Sequence, residues 1–369
     1  MRVIVIGGLG NFGLRICRRL ASEPGIEVIA ASRSSRAGLH ILNDGQNVAT
    51  LPLDIGAADF EQRLADAKPN LVIHCAGPFQ GQDYRVAKAA CAAGAHYLDL
   101  ADGREFVARF AAHVDAEAKA AGVLAISGAS SVPGLSSAVV DHLAQSFARI
   151  DSIQTVIAPG QQAVRGVATI QAVFGYAGIA FQRWNGGAWA RQFGWQNLRR
   201  FHFADIGKRW GAACDVPDLA LFPQRYPGVK DVAFHAALEL PIQHAALWLA
   251  ATLRRLGVPL PISRYAAHLD AFSSRFLDRF GSQTGAMQVN VQGLRSDGQP
   301  GSLTWHLTAP GGDGPEIPCM AALLLALKLA QNQLPQTGAF ACLGFLQLDE
   351  FTAEFERWGF TTTVVEGAP

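Results

Sequence analysis

Gly8, Gly10 and Gly13 stand at G-x-G-x-x-G spacing, directly after the apolar run Arg2-Val3-Ile4-Val5-Ile6 and at the start of a helix-like segment from Phe12 to about Ala21. That spacing suits one task, the binding of a pyrophosphate. The first glycine makes a tight turn, the second lets backbone approach the phosphates, and the third lets helix pack on strand. Helix N–H groups and the positive end of the helix dipole then face the anion. Gly7, Gly8, Leu9, Gly10, Asn11, Phe12 and Gly13 are therefore the expected cradle of a dinucleotide. With 38 glycines in the chain the pattern alone is weak, and its place between strand and helix carries the reading.

The next strand, Glu27–Ser32, ends about twenty residues beyond the glycines, where the ribose is read. A site for NAD(H) places Asp or Glu there. This chain has Ser32-Arg33-Ser34-Ser35-Arg36. A carboxylate repels a 2′-phosphate, whereas Arg and Ser donate to it. Ser32, Arg33, Ser34 and Arg36 thus point to NADP(H) as the cofactor. The alternative for both arginines is a solvated basic loop.

Ligands of a doubly wound sheet lie outside the carboxyl ends of its strands. Asp54, after a strand at Val48–Leu53, is placed to hold the adenine amino group or to cap a turn. After a strand at Leu71–Cys75, the small residues Ala76 and Gly77, flanked by Cys75 and Pro78, let backbone approach the cofactor, with Phe79 and Gln80 on the substrate side. Reduction of an imine or carbonyl needs a proton donor. Tyr84, Asp83 and Asp102 are the candidates. Asp102 has a second reading as a helix N-cap, with Glu105 three residues on as in a capping box. Asp99, alternating with Leu98 and Leu100, is expected to be half-buried. Ser130 and Ser131, after a strand at Val123–Ser127, offer donors to a nicotinamide amide or an anionic substrate.

These residues need elements to hold them. Residues 1 to about 130 alternate strands with helical segments near 58–67, 84–93 and 105–121, and Gly94 and Gly122 stand where helix C-caps belong. The expected fold class is α/β, a Rossmann doubly wound parallel sheet with a second α+β domain. The pattern changes near Ser152. Met287–Leu294 and Ser302–Ala309 flank Arg295-Ser296-Asp297-Gly298 as a β-hairpin. Met320–Leu334 is a long apolar helix. The expected domains are 1–130 for the dinucleotide, with 315–350 packing back on it, and 131–314 for substrate and dimerisation.

Lys plus Arg is 31 against 30 for Asp plus Glu, a balance that offers no footprint for nucleic acid. Six cysteines are scattered with no C-x-x-C pair and no zinc spacing, so they read as reduced thiols in a cytoplasmic protein, with no metal. The N-terminus reads as a strand, so no signal peptide is expected. No Gly-x-Ser-x-Gly elbow or His-Glu-x-x-His is present. Phe234–Leu253 is rich in Ala and Leu and contains Trp248, but Glu239, Pro241, Gln243 and His244 interrupt it and Arg254-Arg255 follow. It reads as a buried or interface helix, with peripheral membrane contact as the alternative and a transmembrane span disfavoured.

Gly7–Gly13, Ala76-Gly77-Pro78-Phe79, Tyr97-Leu98-Asp99-Leu100, Ser130-Ser131-Val132-Pro133-Gly134 and Gly314-Pro315-Glu316-Ile317-Pro318-Cys319 together resemble the saccharopine dehydrogenase-like, NADP-binding family. The resemblance covers the first ~150 residues and the tail. It implies NADP(H)-linked interconversion of an imine and a secondary amine, or of a carbonyl, on a small-molecule substrate, by a homodimer. Val132 stands where saccharopine-forming members carry Asp before Pro-Gly, so substrate identity is not carried over. Two other readings remain open: a non-catalytic nucleotide-binding or peripheral membrane-associated partner protein, and a reductase of a lipid-like substrate.

Overall fold

The computed structural model describes residues 1–33, 38–41, 47–164 and 166–367. The chain forms two compact units, Met1–Leu135 with Glu316–Leu346, and Ser136–Pro315 with the chain from Gln347 onward. The first unit contains β1 (Arg2–Ile6), α1 (Asn11–Ala21), β2 (Glu27–Ser32), β3 (Gly38–Ile41), β4 (Asn47–Pro52), α2 (Phe60–Asp66), β5 (Leu71–His74), α3 (Arg85–Ala92), β6 (His96–Asp99), α4 (Arg104–Ala121) and β7 (Leu124–Ser127). The second continues with α5 (Ser136–Ala144), β8 (Phe147–Ala158), α6 (Val167–Gly175), β9 (Ala180–Asn185), β10 (Ala188–Phe193), β11 (Arg199–Phe203), β12 (Gly207–Ala213), α7 (Asp218–Arg225), β13 (Asp231–Ala236), α8 (Pro241–Arg255), α9 (Ala266–Phe276), β14 (Gly285–Arg295) and β15 (Pro300–Ala309). α10 (Ile317–Ala330) and β16 (Gly338–Ala341) belong to the first unit, α11 (Thr352–Arg357) and β17 (Thr361–Gly367) to the second.

The first sheet has the order β16-β7-β6-β5-β1-β2-β4-β3. Its pairs are parallel except β3 against β4. β3 has no counterpart in the sequence reading. Val3, Ile4, Val5, Leu71, Val72 and Ile73 are buried without alternation, as strands covered on both faces require. Each such side chain contributes about 1.5–3 kcal/mol. α4 ends at Gly122, whose φ of +66° is a left-handed C-cap that a side chain would strain. The chain order reverses at β1, which pairs β2 on one side and β5 on the other. This Rossmann arrangement opens a crevice at the carboxyl ends of β1 and β5.

α10 lies against α1 within the same unit. Arg15 of α1 pairs with Glu316, the N-cap residue of α10, and Cys319 Sγ lies 3.6 Å from the Phe12 carbonyl. The helix begins at Ile317 and ends at Ala330, earlier than the Met320–Leu334 span read from hydropathy, because Pro318 fits the first helical turn.

The second sheet has the order β11-β12-β13-β8-β14-β15-β17. The hairpin forms from β14 and β15 and turns at Gly298. One face of the sheet carries Ile153, Met287, Val289, Trp305 and Leu307, all buried, and α5 packs on β8 and β14. The stretch Phe234–Leu253 is not one helix. Phe234 and His235 lie in β13, parallel to β8, and the helix starts only at Pro241, whose ring fits the first turn. No helix among the described residues is long and apolar enough to cross a membrane.

Candidate functional site

The glycine turn is held by its own backbone. Gly7 N donates to Ala31 O at 2.8 Å, Gly8 N to Val5 O at 3.0 Å and Gly10 N to Gly7 O at 2.8 Å. A Cβ on Gly8 would come within 2.7 Å of Ala30 Cα and of Val5 O. A Cβ on Gly13 would come within 2.2 Å of Gly7 O, so only glycine lets α1 sit this close to the turn. Gly10 is the N-cap of α1, with no side-chain cap and no acid in the first turn. The first-turn N–H groups have no intrahelical acceptor, and they end at the crevice with the positive dipole. Leu9, Asn11 and Phe12 are partly exposed around this turn. A cradle that any side chain would fill, free of acids, fits a dinucleotide pyrophosphate.

The loop after β5 abuts the turn. Cys75 N donates to Ile6 O at 2.8 Å, and a Cβ on Gly7 would lie 3.1 Å from Ala76 N. Gln82 Nε2 donates to Ala76 O at 2.9 Å and to Pro78 O at 2.8 Å, which fixes Cys75–Pro78 beside the glycines. Burial pushes the Cys75 thiol well above its ordinary range, so it stays protonated. Phe79 is buried, its ring 5.0 Å from His74 and 5.5 Å from Phe106. It packs in the core of the loop that sequence places on the substrate side.

Ser32 ends β2 and Arg33 follows it, exposed. Ser34 and Arg36 lie outside the described residues. Asp54 is exposed, and its Oδ1 accepts Gly56 N at 3.0 Å, the turn contact that sequence offered as its second reading. Arg33→Glu places a carboxylate where a 2′-phosphate is expected. NADPH affinity should fall by about tenfold or more while NADH affinity holds, read by fluorescence titration of both. Equal NADPH affinity in the variant removes Arg33 from the site.

The three candidate proton donors separate. Tyr84 donates its hydroxyl to Phe106 O at 3.1 Å, and its ring stacks on Phe106 and His113 at 4.8 and 4.6 Å. Lys88 stands one helical turn on, at Tyr-x-x-x-Lys spacing, but its Nζ pairs with Glu117 at 2.6 Å. Tyr84 is thereby a packing residue between α3 and α4. Asp83 is exposed and accepts Arg85 N at 3.1 Å, a contact at the start of α3. Asp102 is partly exposed; its Oδ1 accepts Gln80 Nε2 at 3.2 Å, and burial raises its carboxyl above the usual range. It does not cap α4. The helix starts one residue later than the capping-box spacing requires, with Gly103 as its N-cap and no side-chain cap bond. Glu105 pairs with Arg109 at 2.9 Å instead. Ser130 and Ser131 are buried at the entry to the turn Ser131–Leu135, where Val132 has extended backbone, φ −132° and ψ 124°.

Asp99 is the residue whose weight the sequence reading missed. It is fully buried, not half-buried. Its Oδ1 accepts Gly128 N at 2.7 Å, Ala101 N at 3.0 Å and Ser127 Oγ at 3.0 Å. One carboxylate oxygen thus ties the ends of β6 and β7. Burial raises the carboxyl to about 6, against the pull of these donors. Beside it, Tyr97 and His74 meet at 3.2 Å between hydroxyl and Nδ1, and burial lowers the imidazole to about 4, so it is neutral at pH 7. The alternation Leu98-Asp99-Leu100 was the available signal, since a polar residue inside a buried parallel strand needs partners.

Residues 3–126 match the model of the family described as the saccharopine dehydrogenase NADP binding domain. Among solved structures, the chain is similar to an apo saccharopine dehydrogenase (L-Glu forming) from Saccharomyces cerevisiae, with a TM-score of 0.63, 13% identity and 100% of both chains covered. It is also similar to a homospermidine synthase from Legionella pneumophila in complex with NAD, with a TM-score of 0.64, 10% identity, and 99% of this chain and 91% of that one covered. At such identities the likeness is one of fold. None of the curated proteins matches the sequence. Residues 3–126 thus match the saccharopine dehydrogenase NADP binding domain, and the chain as a whole shares the fold of the yeast saccharopine dehydrogenase.

Proposed function

We propose that the protein is an NADP(H)-dependent oxidoreductase acting on the CH–NH or C=O group of a small molecule. The observation that carries this is the junction of the Gly7–Gly13 turn with the Cys75–Gly77 backbone at the carboxyl ends of β1 and β5. The turn binds pyrophosphate, Arg33 beside the end of β2 selects the 2′-phosphate, and the Asp99 clamp holds the far loops in place. When bound, the nicotinamide supplies hydride to, or takes it from, the carbon of an imine, amine or carbonyl.

Asp102 is the proposed proton donor. Of the three candidates it alone contacts the cofactor-side loop, through Gln80, and burial favours its protonated form. Its amide replacement keeps an acceptor for Gln80 but cannot give up a proton. Asp102→Asn should lower kcat by about 10²–10⁴-fold and leave NADPH binding within a factor of about two. The assay is NADPH oxidation against a panel of keto acids with amines, followed by absorbance. Unchanged kcat would move the proton transfer to another group, and no turnover by the wild-type protein on any imine or carbonyl would contradict the proposed activity.

A further inference from the structure

The second unit carries two helices that are each apolar on the side they show to solvent. α8 buries His244, Leu247 and Ala251. Ile242, Leu249 and Leu253 face the other way, and Leu256 continues the stripe one residue past the helix end; Ile242 and Leu256 are 69% and 75% exposed. Their spacings of seven, four and three set them within one narrow arc. On α9, Tyr265, Leu269, Phe272 and Phe276 follow at spacings of four, three and four, all exposed. Phe280 comes next in sequence, 63% exposed. Gln243 Nε2 donates to Ser273 Oγ at 2.8 Å, which ties the start of α8 to α9. Ten of the 17 large apolar side chains exposed among the described residues fall between Ile242 and Phe280. An apolar patch of that density is a contact surface. Trp248 is half-buried and lies outside the stripe.

The charge around the patch selects what covers it. Between Pro241 and Gly281 stand five arginines, at 254, 255, 264, 275 and 279, against Asp270 and Asp278, with no Glu and no Lys. Asp278 accepts Gln161 Nε2 at 2.9 Å through one of its oxygens. Arg254 donates to the carbonyls of Phe174, Gly175 and Ala177. Arg275 and Arg279 lie over the rings of Phe276 and Phe280, at 5.9 and 4.6 Å, on the border of the apolar stripe. A second copy docked here in twofold contact would set this basic rim against itself. A bilayer with anionic headgroups accepts both parts, the aromatic and leucine side chains among acyl chains and the guanidiniums among phosphates. We infer that the α8–α9 face seats the protein on an anionic lipid surface, peripherally and without spanning it.

The test is co-sedimentation of the full chain with phosphatidylcholine vesicles and with vesicles that also contain phosphatidylglycerol. Binding is expected to the second and not the first, and to weaken as salt is raised. Phe272→Glu/Phe276→Glu should lower partitioning by about tenfold or more, with melting temperature and NADPH affinity unchanged, since both rings are already in water. Arg275→Glu/Arg279→Glu leaves the stripe intact and tests the charge alone, with a loss of about fivefold or more expected. No binding to either vesicle overturns the inference. So does equal binding to both, or a dimer in sedimentation equilibrium that the phenylalanine variant dissociates while vesicles are ignored.

Discussion

Replacing Gly13 with alanine is expected to cost both stability and cofactor. The added carbon would lie 2.2 Å from Gly7 O and 2.8 Å from Gly7 C and Gly8 Cα. All three are backbone atoms of the turn, which is itself bonded to Val5 and Ala31. The overlap can be relieved only by lifting α1 off β1, at a cost of about 3 kcal/mol or more. NADPH affinity should fall by at least ~100-fold, because the first-turn N–H groups leave the crevice with the helix. Gly10→Ala is the informative partner. Gly10 has φ −82° and ψ 176°, which alanine adopts freely, and its Cβ would meet only Gly7 O, at 3.1 Å. That variant should melt like the wild type yet bind NADPH weakly, since the methyl stands where phosphate approaches. Thermal melting and fluorescence titration separate the two effects. A Gly13→Ala protein that melts like the wild type would show that the close approach of α1 is not required.

Asp99→Ala should give the second large loss. It leaves Gly128 N, Ala101 N and Ser127 Oγ buried without their acceptor, at a cost of about 3 kcal/mol or more. The carboxyl also makes stability depend on pH. Folded, it keeps its proton up to about 6. Unfolded, it loses it near the ordinary carboxylate value of about 4. At this group the native state therefore holds more protons between these limits, and its contribution to stability falls by roughly 2–3 kcal/mol as pH rises from about 4 to about 6. Asp218, buried in the second unit with its carboxyl raised to about 7, acts in the same direction, while the buried imidazoles of His74, His235 and His244, lowered to about 4, 3 and 4, act in the opposite one, so the informative quantity is a difference. Asp99→Asn cannot ionise, and its melting temperature measured relative to the wild type's should increase as pH rises across that window. Parallel curves would mean that Asp99 does not titrate there.

The cofactor half was legible because it is written in local signals. Apolar runs without alternation marked the parallel strands, Gly8, Gly10 and Gly13 marked the turn, and the crevice rule then ranked the loops. The other readings turn on neighbours that only the fold supplies. Tyr84 had the chemistry of a donor, but Phe106 and His113 of α4 hold it. Asp102 and Glu105 had capping-box spacing, but the helix starts with Gly103 as its N-cap and Glu105 pairs with Arg109. Phe234 looked continuous with the helix after it, yet pairing with β8 makes it strand. Asp99 is the clearest case. Its alternation with leucines was visible, but its three donors come from residues 101, 127 and 128, and only the folded sheet brings two of them to it.

The central claim is that the Gly7–Gly13 turn and the end of β2 together form an NADP(H) site. Titration of the purified full chain with NADPH and, separately, NADH tests it most directly. Saturable NADPH binding is expected, with a dissociation constant on the order of micromolar, and NADH binding at least about tenfold weaker. No binding of either nucleotide, or NADH bound as tightly as NADPH, would contradict it.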